Sequence, residues 1–410
     1  MAQRRHTGGW RRRTAGCALA ALLSAAACSG PPAAPDDATS RQVRQTLDAR
    51  AAAVLRHDER GYLDAVDPAA GTLRDAQRAE FGNLRQVPLS AWAYRVTRLD
   101  HQGGRATAEV ELRYRIAGYD SAPVTAARTV DLTERAGHWY VSADRPGDGA
   151  AQLLWQQGPV TAVRGTHSLV LGVGQDRAEL QRISATADRA VPAVSAAWPG
   201  RWAGRVVVLV PGSLDAMAAL LAAPSGSYRG IAAVTTGEAG GSGAAPADRV
   251  IVNPDAYGVL GDLGQRVVLT HETTHVATRA QTSPATPMWL SEGYADWVGY
   301  RGTGRTPAEA APELQQAVRG GEAPADLPAD ADFGFDGSAD RLARAYEGGW
   351  LACRMIAQRW GERALAAFYT KVGAGGHREG AVEKAMNDEL STTPQEFTAL
   401  WRSYVRDQLG

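Results

Sequence analysis

The 410-residue chain is short of cysteine, of lysine and of any surplus of charge. Lys+Arg and Asp+Glu both total 44, so no net field gathers nucleic acid or an anionic membrane surface, and no nucleic-acid partner is expected. Among the basic residues only Lys371 and Lys384 are lysines, a bias that matches the abundance of Ala and Gly and carries no mechanism. No stretch reaches the roughly 18 apolar residues that a membrane-spanning helix needs, so no integral membrane helix is expected. What is present excludes disorder for most of the chain: 44% of residues are hydrophobic and 21% charged, enough for a large core divided between two or three domains.

The three cysteines are Cys17, Cys28 and Cys353. A basic opening (Arg4, Arg5, Arg11, Arg12, Arg13) and an apolar run from Ala15 to Ala27 have the layout of an export signal. Ala25-Ala26-Ala27-Cys28-Ser29-Gly30, followed by a Pro/Ala/Asp-rich stretch, resembles a bacterial lipoprotein cleavage and lipidation site. The resemblance implies a signal over residues 1–28, lipid on Cys28, a disordered tether over 29–39, and a protein held on the outer face of the cell membrane by lipid alone. A secreted protein is the alternative, and both the general secretory and the twin-arginine routes stay open. With Cys17 removed and Cys28 acylated, Cys353 is the only thiol and no intramolecular disulfide is possible. It sits among Trp350, Leu351, Met355 and Ile356 at helical spacing and reads as a small buried hydrophobe.

A first domain is expected over 40–146. Val43, Leu47, Ala51, Val54 and Leu55 recur at helical spacing, and alternating segments follow at Trp92–Leu99, Ala106–Ile116, Val124–Leu132 and His138–Ala143. Helices followed by four strands resemble the nuclear-transport-factor-2-like cone, a curved antiparallel sheet wrapped on a long helix. His138 and Asp144 read as strand-edge residues, so the domain suits a spacer or recognition role rather than chemistry. Residues 147–165 read as a Gly/Pro-punctuated linker. The second domain, 166–410, opens with strands at His167–Leu171, Arg205–Val210, Gly230–Val234 and Arg249–Val252. Helices are interleaved at Asp176–Ala197 and Ser213–Leu221, and from Gly261 onward the pattern is mostly helical, which makes the fold class α+β.

Chemistry enters at Val267-Val268-Leu269-Thr270-His271-Glu272-Thr273-Thr274-His275-Val276, an HExxH segment in a helical apolar pattern. Residues four apart share a helix face, so His271 and His275 can hold one ion, while Glu272, about 100° around, reaches a water beside it. Two neutral imidazoles at this spacing suit zinc. Glu292 follows in Met288-Trp289-Leu290-Ser291-Glu292-Gly293-Tyr294-Ala295-Asp296-Trp297, where Pro287 marks a helix start and Asp296 falls one turn further on the same face. There a carboxylate could accept the outer N–H of His271.

HExxH followed by Trp-Leu-x-Glu-Gly resembles the gluzincin zinc metallopeptidases, and among them the peptidase MA-like family related to the aminopeptidase N catalytic domain. The resemblance implies a thermolysin-like fold, a small sheet followed mostly by helices, with one Zn2+ per chain held by His271, His275 and Glu292. It gives Glu272 as general base and Asp296 behind the ligand His271. Ala345-Tyr346-Glu347-Gly348-Gly349-Trp350 is similar to the Tyr-Glu-Lys-Gly segment of aminopeptidase N, with Gly348 in place of Lys, and implies Tyr346 as donor to the oxyanion. The expected activity is peptide-bond hydrolysis on a peptide or protein substrate, the base taking a proton from water and passing it to the leaving amine. Strand 230–234 could offer its edge to an extended substrate. Nothing between Tyr228 and Asn253 matches the Gly-x-Met-Glu-Asn segment that binds a free amine in aminopeptidase N, and Glu238 is a weak substitute, so endopeptidase action is expected over aminopeptidase action. Two other readings stay open: a noncatalytic surface lipoprotein that binds a protein or cell-wall partner, against which the intact Glu272 argues, and zinc-dependent hydrolysis of a nonpeptide amide.

Overall fold

A computed structural model of the chain describes residues 37–236, 247–334 and 338–410, so Cys28 and Glu238 lie outside the described residues. Three helices come first, α1 (Ala38–Leu55), α2 (Glu59–Asp64) and α3 (Gly71–Leu84). Val43, Leu47, Ala51 and Val54 form one buried stripe along α1, the outcome of their three- and four-residue spacing. Four strands follow, β1 (Leu89–Gln102), β2 (Arg105–Ile116), β3 (Val124–Arg135) and β4 (His138–Pro146), in an antiparallel sheet of order β1-β2-β3-β4. In β2 the alternation is complete: Ala106, Ala108, Val110, Leu112, Tyr114 and Ile116 are buried and their neighbours face out. The β1–β2 hairpin turns on Gly103 and Gly104 at φ of 56° and 74°, left-handed values that glycine adopts without strain.

One strand departs from simple alternation. Between β3 and β4 the register slips at Asp131/Leu132, so that Leu132 faces Val141 while Asp131 faces Ala143, and Ser142 is the extra residue of a bulge. Past it the facing reverses: Asp144 lies opposite buried Val130 and points inward. Its side chain is 5% exposed and pairs with Arg50 at 3.1 Å and with Arg128 at 2.6 Å, which corrects the expectation of a strand-edge residue. His138 is exposed.

The second sheet contains β5 (Val160–Arg164), β6 (Ser168–Val173), β7 (Val206–Val210), β8 (Ala233–Thr235) and β9 (Val250–Val252) in the order β5-β6-β7-β9-β8. The inner strands β6, β7 and β9 run parallel, and β5 and β8 close the two sides antiparallel. β5 falls within the stretch read as a linker. Every residue of β6 is buried, as suits a strand covered on both faces. One face packs on α4 (Arg177–Ala197), through Leu180, Ile183, Ala187 and Val191, and on a later helix; the other shares an apolar core with Trp92, Tyr114 and Trp155 at the end of the first sheet, next to α5 (Leu214–Leu221). The two sheets are also tied by a buried bidentate pair, Arg249 to Asp120 at 2.7 and 2.8 Å.

Past β9 the chain is helical: α6 (Pro254–Gly258), α7 (Asp262–Thr278), α8 (Met288–Tyr300), α9 (Pro307–Ala310), α10 (Pro312–Arg319), α11 (Ala339–Arg359), α12 (Glu362–Gly373), α13 (Ala381–Ala385) and α14 (Pro394–Leu409). Trp198, Trp289, Tyr294, Trp350, Phe368, Tyr369, Phe397 and Trp401 form their common core, in which Cys353 is fully buried. The architecture is therefore mixed α+β, sheets first and helices after. Among the described residues no helix is long and apolar enough to cross a membrane.

Candidate metal centre

Helix α7 carries a run of buried polar residues, Thr270 to His275, that a helix interior rarely accepts. Three of its threonines are satisfied locally, their hydroxyls bonding back one turn: Thr270 to Arg266 O at 2.8 Å, Thr274 to Thr270 O at 2.8 Å and Thr278 to Thr274 O at 3.0 Å. The histidines and the glutamate are left to face the neighbouring elements. Helix α8 starts behind Pro287 and returns Glu292 against α7. The two helices come close at Gly299, where a Cβ would stand 3.1 Å from Val267 O.

The result is a triangle of donor atoms. His271 Nε2 lies 2.9 Å from His275 Nε2, and Glu292 Oε2 lies 3.2 Å from the first and 3.3 Å from the second. The three residues are 9, 4 and 4% exposed. Ligands about 2.0–2.2 Å from a tetrahedral ion stand roughly 3.3–3.5 Å apart, so only a small outward spreading separates this triangle from a three-point zinc site. Chemistry agrees with spacing. Asp296 Oδ1, 2.7 Å from His271 Nδ1, can only accept, so Nδ1 carries a proton and the neutral ring turns its Nε2 lone pair to the triangle. With both rings neutral, at most one hydrogen, on His275 Nε2, is shared among three acceptors, whereas one cation satisfies all three.

The electrostatics favour positive charge at this point, whether a proton or a cation carries it. Burial opposes a charge on His271, yet Asp296, Glu292 and Glu272 outweigh it and hold the imidazole well above its usual pKa. Burial likewise opposes the Glu292 carboxylate, and His275 and His271 overcome it, holding the group far below the usual carboxylate range. The pocket thus concentrates negative charge around two imidazoles.

Glu272, 5% exposed and outside the triangle, has its Oε2 bonded by the Thr235 hydroxyl at 2.7 Å. The Tyr346 ring lies against that of His271, centroids 6.2 Å apart, and edge-on to Phe333 at 5.2 Å. Helix α11 brings Tyr346 there because it meets α8 backbone to backbone. A Cβ on Gly293 would stand 2.2 Å from Gly349 O, and one on Gly349 would stand 2.7 Å from Trp289 O. Beside Asp296 and Tyr346 opens a cavity of about 300 Å3, walled by Tyr300, Glu313, Glu347 and Trp350. Burial, with Glu313 sharing a hydrogen bond, pushes Glu347 up to about 9.

The structure therefore brings His271, His275, Glu292, Asp296, Glu272 and Tyr346 into one neighbourhood. Sequence reasoning missed Thr235. Its only signal was a strand expected near the site, which says nothing of which residue in it faces the helix.

No protein-family model and no curated protein matches this chain. Among solved structures it is similar to the M1 zinc metallopeptidase from Deinococcus radiodurans, at 14% identity and a TM-score of 0.35, over 77% of this chain and 74% of the other. It is similar also to a two-domain M1 zinc metallopeptidase mutant bound to L-arginine, at 15% identity and a TM-score of 0.36, over 78% and 75%. A solved NTF2 variant matches 27% of this chain and 96% of its own, at 17% identity and a TM-score of 0.20.

Proposed function

We propose that this protein is a zinc-dependent metallopeptidase of the gluzincin type that cleaves peptide bonds outside the cell. The observation that carries the reading is the convergence of His271 Nε2, His275 Nε2 and Glu292 Oε2 in a buried triangle of 2.9 to 3.3 Å, with a non-ligand carboxylate, Glu272, next to it. Zinc held by those three atoms supplies Lewis acidity, activating water and polarising a carbonyl. Glu272 accepts the proton of the attacking water and delivers it to the leaving amine. Asp296 fixes the tautomer and aim of His271. The Tyr346 phenol donates to the negative charge that develops on the carbonyl oxygen. The free side of edge strand β8 aligns an extended peptide, and the lack of an amine-binding segment in 228–253 favours cleavage within chains over removal of N-terminal residues.

The helices and meander of residues 38–146 serve, in this reading, as a cone-like spacer or recognition element, and lipid on Cys28 holds the protein at the membrane surface. Loss of membrane attachment in Cys28→Ser checks the anchor. The test of the enzyme is elemental analysis of the purified extracellular part combined with peptide-library cleavage. About one zinc per chain is expected in wild type, Glu272→Gln and Tyr346→Phe alike. Turnover should fall roughly 10² to 10⁴-fold without the base and about 10²-fold without the phenol. Equal turnover by wild type and Glu272→Gln overturns the mechanism.

A further inference from the structure

The base of the proposed reaction is not free to swing. Thr235, 2% exposed, places its hydroxyl 2.7 Å from Glu272 Oε2 and 3.1 Å from Glu272 O. It has one hydrogen, and the shorter contact to a charged acceptor takes it: 2.7 Å is the length of a charge-assisted O–H···O bond. Glu272 Oε1 accepts no hydrogen bond among the described residues, so one carboxylate oxygen is held and the other is left for a proton.

The strand that carries Thr235 is itself fastened to the metal helix. Thr236 O accepts from Arg279 Nη2 at 2.9 Å, and Arg279, just past the end of α7, also pairs with Asp248 at 3.0 Å. Among the described residues β8 has one partner strand, β9, with Thr235 facing Val250 across the ladder. The residue that grips the carboxylate is thus on the edge strand, where an extended chain would pair.

We infer that Thr235 is a positioning residue for Glu272: its hydroxyl holds Oε2 so that Oε1 stays aimed at the attacking water, and any displacement of β8 is passed to the base. The inference rests on the peptidase reading for the identity of the base. A buried threonine that served packing alone would tolerate valine, which has the same shape and lacks the hydroxyl.

The test uses the zinc-loaded extracellular protein and a cleaved library peptide. Thr235→Val should keep wild-type zinc and KM within about twofold while kcat falls roughly 10- to 100-fold, the size expected for one hydrogen bond to a charged group. Thr235→Ser, which restores the hydroxyl, should recover most of kcat. A second measurement needs neither zinc nor substrate. In metal-free protein Thr235→Val should lower Tm, and it should lower it much less in a Glu272→Ala background, where no carboxylate remains to be stranded. An equal drop in both backgrounds overturns the inference. A wild type that cleaves no peptide overturns the peptidase reading. A wild type that cleaves, is silenced by Glu272→Gln and is untouched by Thr235→Val overturns this inference alone.

Discussion

Two of the molecule's buried clusters of charge are treated in opposite ways. Inside the first sheet Arg50 donates to Tyr62 Oη at 2.8 Å and to Asp144 Oδ2 at 3.1 Å, while Arg128 donates to Asp144 Oδ1 at 3.0 and 2.6 Å and to Gln156 Oε1 at 3.1 Å. Gln156 and Gln77 in turn donate to Glu80 at 3.3 and 3.1 Å. Donors meet acceptors, and Arg50 Nη1 is the one guanidinium nitrogen of that cluster buried without a partner. At α7 and α8 the balance is reversed: two imidazole nitrogens and a carboxylate oxygen aim at one point, and with neutral rings at most one hydrogen is shared among them. A cluster that closes on itself is a structural element, whereas one that converges without closing marks a place for a cation.

That contrast can be broken by experiment. The largest effect is expected for His275→Ala, which should abolish stoichiometric zinc in elemental analysis, because two ligands do not make a three-point site. Full zinc in a folded His275→Ala protein would make the triangle as incidental as any polar contact.

Next is Asp144→Ala. It strands two buried arginines and should cost about 3–5 kcal/mol in denaturant unfolding. Zinc per folded chain should not change, since the two clusters share no residue.

The smallest effect sharpens the comparison further. Burial, then the nearby Asp144 carboxylate, raises Glu80 from its usual 4.5 to about 7. The folded protein therefore binds a proton that the unfolded chain releases between those values. This group's stabilisation is full below about 4.5 and is lost as pH rises through about 7. Glu80→Gln should flatten that part of the Tm profile between pH 5 and 8, and an unchanged profile would show that Glu80 titrates as an ordinary surface carboxyl.

The convergence of His271, His275 and Glu292 was legible in the sequence because helical periodicity is regular: four residues separate His271 and His275, and a second helix start at Pro287 places Glu292 and Asp296 on one face. The four-strand meander was legible from alternation, although β1 extends from Leu89 to Gln102 rather than over Trp92–Leu99. Where reading failed, regularity failed. Strand β5 is five residues long and follows Gly158-Pro159, so its punctuation resembled a connection. The expected strand stopped at Ala143 and left Asp144 at its edge, whereas β4 continues past a bulge residue that turns Asp144 in. Thr235 depends on the sheet order, since β8 lies beyond β9 only after the chain has passed it and come back. None of these is a property of a short window of sequence.

The contact between Gly293 and Gly349 limits how the pocket could be redesigned. Because α8 and α11 touch through backbone atoms, with no room for even one methyl group on Gly293, there is no side chain whose rotamer could absorb an error in their spacing. Glu292 and Tyr346 are carried on what amounts to a single welded part. Attempts to widen or narrow the gap between the Glu292 carboxylate and the Tyr346 phenol by substitution on these helices should jam rather than tune it. In the peptidase reading, variation in specificity would have to enter through the surrounding walls, at Tyr300 and Glu313, where side chains and not the main chain set the clearance.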